Sequence, residues 1–177
     1  PPQTALHTGR AVFTESHAVI PRGVMSDIVT SRLPHWKETR AWILARPMSG
    51  FSETFAHYIM EVGPHGGSTA PEPDAAAEAV IFVTEGALWL RLHDNDHELG
   101  PGGYAYIPPG CAWQLHNGAR SPARFHWIRK RYEAVPGLAV PEPFVTFEQD
   151  IPPIPMPDTA ESWATTRFVD PADMRHD

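Results

Sequence analysis

The amino-acid sequence predicts an all-β domain, an antiparallel jelly-roll barrel, and three observations support it. Twenty prolines and thirteen glycines are spread among short apolar runs rather than gathered in one tract, which suits short strands joined by tight turns. Seven runs of strand length follow one another from residue 40 to residue 132. Within one of them, Leu88, Leu90 and Leu92 fall on one side of a period-two pattern and Trp89, Arg91 and His93 on the other. That alternation belongs to a strand with one face on a core.

Residues 1–39 read as an extended segment packing on the barrel. Arg10-Ala11-Val12-Phe13-Thr14 and Ala18-Val19-Ile20 are short extended pieces, and Pro21-Arg22-Gly23 is a turn. The barrel itself is placed at 40–135. Its strands are expected at Ala41–Ala45, Thr54–Val62, Ala79–Thr84, Ala87–Leu92, Tyr104–Ile107, Ala112–Leu115 and Ala123–Tyr132. Turns are expected at Pro64-His65-Gly66-Gly67, Glu85-Gly86, Asp94-Asn95-Asp96, Gly100-Pro101-Gly102-Gly103 and Asn117-Gly118. The alanines of 71–78 favour a helical turn, but their flanking prolines favour a loop. Pro136, Pro141, Pro143, Pro152, Pro153, Pro155 and Pro157 make 136–177 an extended connector, too broken for a helix or a central strand.

The chain has 177 residues, enough for one compact domain with extensions. A formal charge of −7 argues against nucleic acid as a partner, because phosphate binding needs clustered Lys and Arg. Arg129-Lys130-Arg131 is the local exception. It reads either as an exposed strand edge protected by charge or as a contact for an anion or partner chain. Cys111 is the only cysteine, so no intrachain disulfide forms and a reducing compartment is compatible. No apolar run approaches the roughly 20 residues that span a bilayer, and Pro1-Pro2-Gln3-Thr4 has no signal pattern. A cytoplasmic protein without a membrane partner is expected, and a start at Pro1 rather than Met leaves the true N-terminus open.

The stretch from Gly102 to Asn117 carries the sharpest motif. Gly102, Pro108, Gly110 and Asn117 are in register with G-x5-P-x-G-x2-H-x3-N, and the stretch resembles the second signature of the cupin family. Trp113 stands where that signature has its metal-binding histidine. In the first signature, G-x5-H-x-H-x3–4-E-x6-G, aligning Gly86 with the closing glycine puts Ala79 at the carboxylate position and Glu72 and Asp74 near the two histidines. Cupins hold Mn, Fe, Ni or Zn with such N and O donors. Glu78 lies one residue away from the carboxylate position, which turns it to the opposite face. His116 is an odd step from Trp113 and should also face away from the interior.

A metal-free barrel is therefore expected, with Trp113 filling the space of an ion. Trp113 as a stacking platform for a small ligand is the alternative, and a metal held by Glu72, Asp74 and His65 is a third. His7, His17, His35, His57, His93, His97 and His126 are scattered and read as hydrogen-bonded core or surface histidines. No Gly-x-Ser-x-Gly elbow, phosphate loop or His-Glu-x-x-His helix occurs.

Several motifs in order resemble the N-terminal half of the bicupin (S)-ureidoglycine aminohydrolases, also described as glyoxylate-induced proteins. They are Arg10-Ala11-Val12, Ala18-Val19-Ile20-Pro21-x-Gly23, Gly66-Gly67, Gly103-Tyr104-x-Tyr106-x-Pro108-Pro109-Gly110, and Arg129-Lys130-Arg131-Tyr132 with Val135-x-Gly137. The resemblance implies two fused barrels that release ammonia from (S)-ureidoglycine to give (S)-ureidoglycolate in allantoin degradation. It further implies manganese in the C-terminal barrel, held by a Glu-x-His-x3-His cluster and a later glutamine, none of which lies within these residues. There the ion would fix substrate geometry while water replaces ammonia. On this view the chain contains no catalytic, cofactor or metal residue, plays a structural and oligomerising part, and has as partners its own second cupin domain and further copies of itself. The alternative is a non-enzymatic cupin that binds a small acid or sugar near Trp113.

Overall fold

The computed structural model describes residues 11–14, 17–21, 30, 32–46, 54–158 and 162–176. Its strands are β1 (Val12–Phe13), β2 (Ala18–Val19), β3 (Trp36–Ala45), β4 (Phe55–Ser68), β5 (Ala77–Glu85), β6 (Leu88–Leu92), β7 (Asn95–Leu99), β8 (Gly103–Ile107), β9 (Trp113–His116), β10 (Ala123–Arg131), β11 (Phe144–Phe147), β12 (Ile154–Pro155) and β13 (Ala164–Thr165). Nine of them form one antiparallel sheet in the order β11-β8-β5-β10-β4-β9-β6-β7, with β3 also paired to β4. The sheet curls into a jelly-roll barrel, as the sequence predicts. β1 and β2 form a separate two-stranded ribbon, while Arg10, Arg22 and Gly23 lie outside the described residues. Among the described residues no helix is long and apolar enough to cross a membrane.

The core follows from alternation. Met60 and Val62 of β4, Ile81 and Val83 of β5, Leu88 and Leu90 of β6, and Phe125 of β10 are fully buried on one face. Each such side chain contributes about 1.5–3 kcal/mol relative to exposure. On β9, Trp113 and Leu115 point in while Gln114 and His116 stay exposed. Asn117, the closing residue of the second signature, is wholly buried and has three partners, two local and one on β4. Its Nδ2 donates to the Val62 and Ser121 carbonyls at 2.9 and 2.8 Å, and its Oδ1 accepts from the Ala119 N–H. That asparagine ties β4 to the β9–β10 turn, a task of architecture rather than chemistry.

Four expectations are corrected. The turn predicted at Pro64-His65-Gly66-Gly67 is strand, because β4 continues to Ser68, where Gly67 and Ser68 pair with β3 on one edge and β9 on the other. The glycines permit close passage: Gly67 has φ +138, and a Cβ there would lie 2.1 Å from the Leu115 carbonyl oxygen. The Asp94-Asn95-Asp96 turn moves back to His93-Asp94, since Leu92 pairs with Asn95. Asn95–Leu99 is thus a further strand, and Arg91 clasps Asp96 across it with contacts of 2.6 and 2.7 Å. Arg129-Lys130-Arg131 is no sheet edge, for β10 runs between β4 and β5.

The fourth concerns 136–177. Phe144–Phe147 pairs with β8 as the terminal strand of the sheet, a place where nearby prolines are tolerated. The following chain returns over the outer face. Phe168 stacks on Tyr104 with centroids 4.3 Å apart and planes at 3°, and His176 meets Tyr106 edge-on at 4.5 Å. A segment expected only to connect also covers the barrel.

Candidate functional site

Glu72, Asp74, Ala79 and Trp113 line one cavity of about 220 Å³, together with Ile107 and Cys111. Two signatures some thirty residues apart in the sequence thus converge at one end of the barrel. Ala79 sits inward on β5 opposite Ile107, and Trp113 opens β9 opposite Leu92. Glu72 and Asp74 lie in the loop before β5, as the prolines predict.

The donor set does not suit a metal ion. Ala79 has no donor atom, and an indole offers no lone pair in the ring plane. The Glu72 carboxylate is already bound: Arg129 reaches it with both Nε and Nη2, the latter at 2.6 Å from Oε1. The Asp74 N–H also donates to Glu72 Oε1 at 2.9 Å. Burial works against the Arg129 charge, but the hydrogen bond and charge of Glu72 outweigh it and raise the Arg129 pKa. Asp74 Oδ1 accepts from the Ala76 N–H at 2.9 Å, holding the turn into β5.

His65 is exposed and lines a different cavity, beside His35, Lys37 and His116. Glu72, Asp74 and His65 therefore share no cavity. Among the described residues no group of three His, Cys, Asp or Glu side chains can hold an ion together. Glu78 faces the outer side, where it accepts from the Tyr106 hydroxyl at 2.7 Å.

The sequence reading missed the aromatic cluster around Trp113. Trp36 and Trp127 lie 6.4 and 5.9 Å from it, both edge-on, and 5.8 Å from each other. Tyr58 adds a contact of 5.5 Å with Trp127. Parity along β10 was the available signal, since Phe125, Trp127 and Arg129 alternate with His126 and Ile128. Nothing local announces Trp36, which reaches the cluster through the long-range pairing of β3 with β4.

His57 and His126, read as separate histidines, bond to each other on the outer face, with His57 Nε2 2.8 Å from His126 Nδ1. Burial and then the His126 charge bring His57 down to about 4, and burial lowers His126 as well. This pair lies on the opposite side of the sheet from Trp113. His93, exposed in its hairpin, contacts Cys111 at 3.5 Å, and burial followed by the Glu142 charge pushes that thiol up.

A profile for the cupin domain matches residues 58–129. The solved structure of a glyoxylate-induced protein from Pseudomonas aeruginosa is 59% identical, with a TM-score of 0.88 over 96% of this chain and 63% of that one. Protein YlbA of E. coli shares the fold, with a TM-score of 0.74 at 21% identity over 87% of this chain and 62% of that one. Among curated proteins, the (S)-ureidoglycine aminohydrolase of Escherichia coli is 26% identical over 67% of this chain and 43% of its own length. The Oryza sativa subsp. japonica protein assigned the same activity is 34% identical over 56% of this chain and 30% of its own. The chain thus spans less than half the length of these curated relatives. A barrel with both signature regions in place, one sequence profile and these relatives agree: the chain carries a cupin domain and resembles the (S)-ureidoglycine aminohydrolases and glyoxylate-induced proteins.

Proposed function

We propose that this chain is the metal-free N-terminal barrel of an (S)-ureidoglycine aminohydrolase, serving structure and assembly while the chemistry resides in a second cupin domain. One observation carries the proposal: the four ligand positions meet at one cavity, yet Ala79 and Trp113 provide no ligand and Arg129 holds Glu72. The conversion of ureidoglycine and water to ureidoglycolate and ammonia would then belong to the whole protein, with manganese in the other barrel. The partners are that second domain and further copies of the chain, and the cytoplasm is the location. This chain's own contribution is a rigid apolar barrel whose outer aromatic face is covered by its C-terminal residues.

The test is ammonia release from (S)-ureidoglycine. The 177-residue chain loaded with Mn²⁺ is expected to release none, and elemental analysis is expected to find no stoichiometric transition metal. Turnover by this piece alone would overturn the proposal. A second reading, a non-enzymatic binder of a small acid or sugar at the Trp113 cavity, rests on the 220 Å³ of space there. Coding sequence beyond Asp177 separates the two: a second barrel with Glu-x-His-x3-His favours the aminohydrolase, and a stop codon favours the binder.

A further inference from the structure

The cavity that His65 lines, of about 270 Å³, gathers residues from three strands. Lys37 of β3 pairs with Gly67 of β4, and Gly67 pairs in turn with His116 of β9. Residues opposite one another in a sheet share a face, so Lys37 and His116 flank a position that has no side chain. Gly67 must stay bare, because a Cβ there would lie 2.1 Å from the Leu115 carbonyl oxygen. Neighbouring strands are ~4.8 Å apart, which leaves a gap about 10 Å wide between the β3 and β9 backbones. His35 and His65 join the lining from backbone with φ of +66 and +59, left-handed values uncommon outside glycine. The fold accepts that strain at both positions.

The chain carries a formal charge of −7, yet no Asp or Glu lines this cavity. Elsewhere Arg91, Arg124, Arg129 and Arg175 each clasp a carboxylate. By contrast, the side chains of His35, Lys37, His65 and His116 make no hydrogen bond or ion pair with other described residues. The Asp96 charge reaches His116, but Arg91 already holds that carboxylate. Four donors thus border one space with no carboxylate of their own.

We propose that this cavity binds a small dicarboxylate, one end accepting from Lys37 and the other from His116 across Gly67, with His35 and His65 as further donors. A lysine ammonium is a charged donor, and an imidazole offers an N–H whether neutral or protonated. Hydrogen bonds to a carboxylate are charge-assisted and stronger than neutral ones. The bare backbone at Gly67 lets a guest lie close between the two flanking side chains. A compact oxyanion would reach only one side of that gap at a time, whereas a dianion with separated ends can reach both. The proposal does not depend on the assignment to an aminohydrolase, because no residue lining this cavity also lines the Trp113 cavity.

The experiment is isothermal titration calorimetry of the 177-residue chain at low ionic strength, with three probes. Succinate carries a carboxylate at each end, succinamide is its neutral counterpart, and inorganic phosphate is a compact anion. Succinate is expected to bind with a Kd of roughly 1 mM, the affinity a fragment of this size reaches, and about tenfold more tightly than either other probe. Lys37→Gln and His116→Gln should each weaken succinate about tenfold, the worth of one charge-assisted hydrogen bond. Arg131→Gln, which removes an exposed cation outside the cavity, should leave the affinity unchanged. Absence of succinate binding, equal affinity for succinamide or phosphate, or full affinity in both Lys37→Gln and His116→Gln overturns the proposal. The three-probe comparison on the wild-type chain stands even if a variant fails to fold. Ammonia release is not a readout, so failure here leaves the aminohydrolase reading untouched.

Discussion

Along β10, Phe125 and Trp127 enter the core while His126 and Ile128 lie on the other side, and the neighbouring strands divide in the same way. Inside, β4 and β5 present Met60, Val62, Ile81 and Val83. Outside, they present His57, Glu61 and Glu78, each with a polar partner on a neighbouring strand. One ion pair, Arg129 with Glu72, interrupts the apolar side, and it sits at the end where the signature positions converge. The contrast teaches that this barrel has kept its inner face for packing and placed most of its titratable groups on the outer face, where His57, Glu61 and Glu78 each have a polar partner. Loss of an inner contact should therefore cost more than loss of an outer one.

The sharpest way to break that contrast is Trp113→Ala. The side chain is 5% exposed amid Trp36 and Trp127, so truncation should lower the unfolding free energy by about 4 kcal/mol in urea titration. A loss under about 1 kcal/mol would mean that the cluster is loosely packed. Arg129→Met comes next. It strands a carboxylate whose side chain is 6% exposed, and a loss of about 3 kcal/mol is expected. Adding Glu72→Gln should recover most of it, as a double-mutant cycle would read.

Outer-face changes should be milder. Tyr106→Phe removes the hydroxyl that donates to buried Glu78, and about 1–2 kcal/mol should be lost. The same neighbourhood pushes the Tyr104 hydroxyl up to about 12, through burial and then the Glu78 charge, so Tyr104 should stay protonated in a spectrophotometric titration through pH 11. The smallest effect at neutral pH belongs to His57. Its pKa falls from 6.5 to about 4 on folding, so the unfolded chain binds more protons between those values. The stability contribution is full above pH 6.5 and declines as pH falls toward 4. His57→Gln should flatten the slope of stability against pH in that window, and an unchanged slope would place the acid sensitivity elsewhere.

Much of the fold could be read in advance because alternation is a local signal. Leu88, Leu90 and Leu92 declare their face without help from any other strand, and the side of Trp113 follows from its spacing to His116. What escaped depends on register between distant strands. Gly66 and Gly67 look like turn residues, and only the passage of β4 close to Leu115 makes them strand. Arg129 lies 57 residues from Glu72, so its place on the inner face could be inferred from Trp127 but its partner could not. The basic triplet suggested an edge because composition reports charge, whereas its central place between β4 and β5 comes from pairing. The terminal strand Phe144–Phe147 was hidden by its prolines, which forbid a central strand but not the last one.

The Arg129–Glu72 pair has a consequence for how the barrel meets its surroundings. A carboxylate turned toward a barrel interior needs a positive neighbour, and a diffusible ion can be taken away by a chelator, displaced by a competing metal or lacking when supply is short. Here the positive charge is covalently part of the same chain. It arrives with translation, at fixed stoichiometry, and a chelator cannot take it away from Glu72.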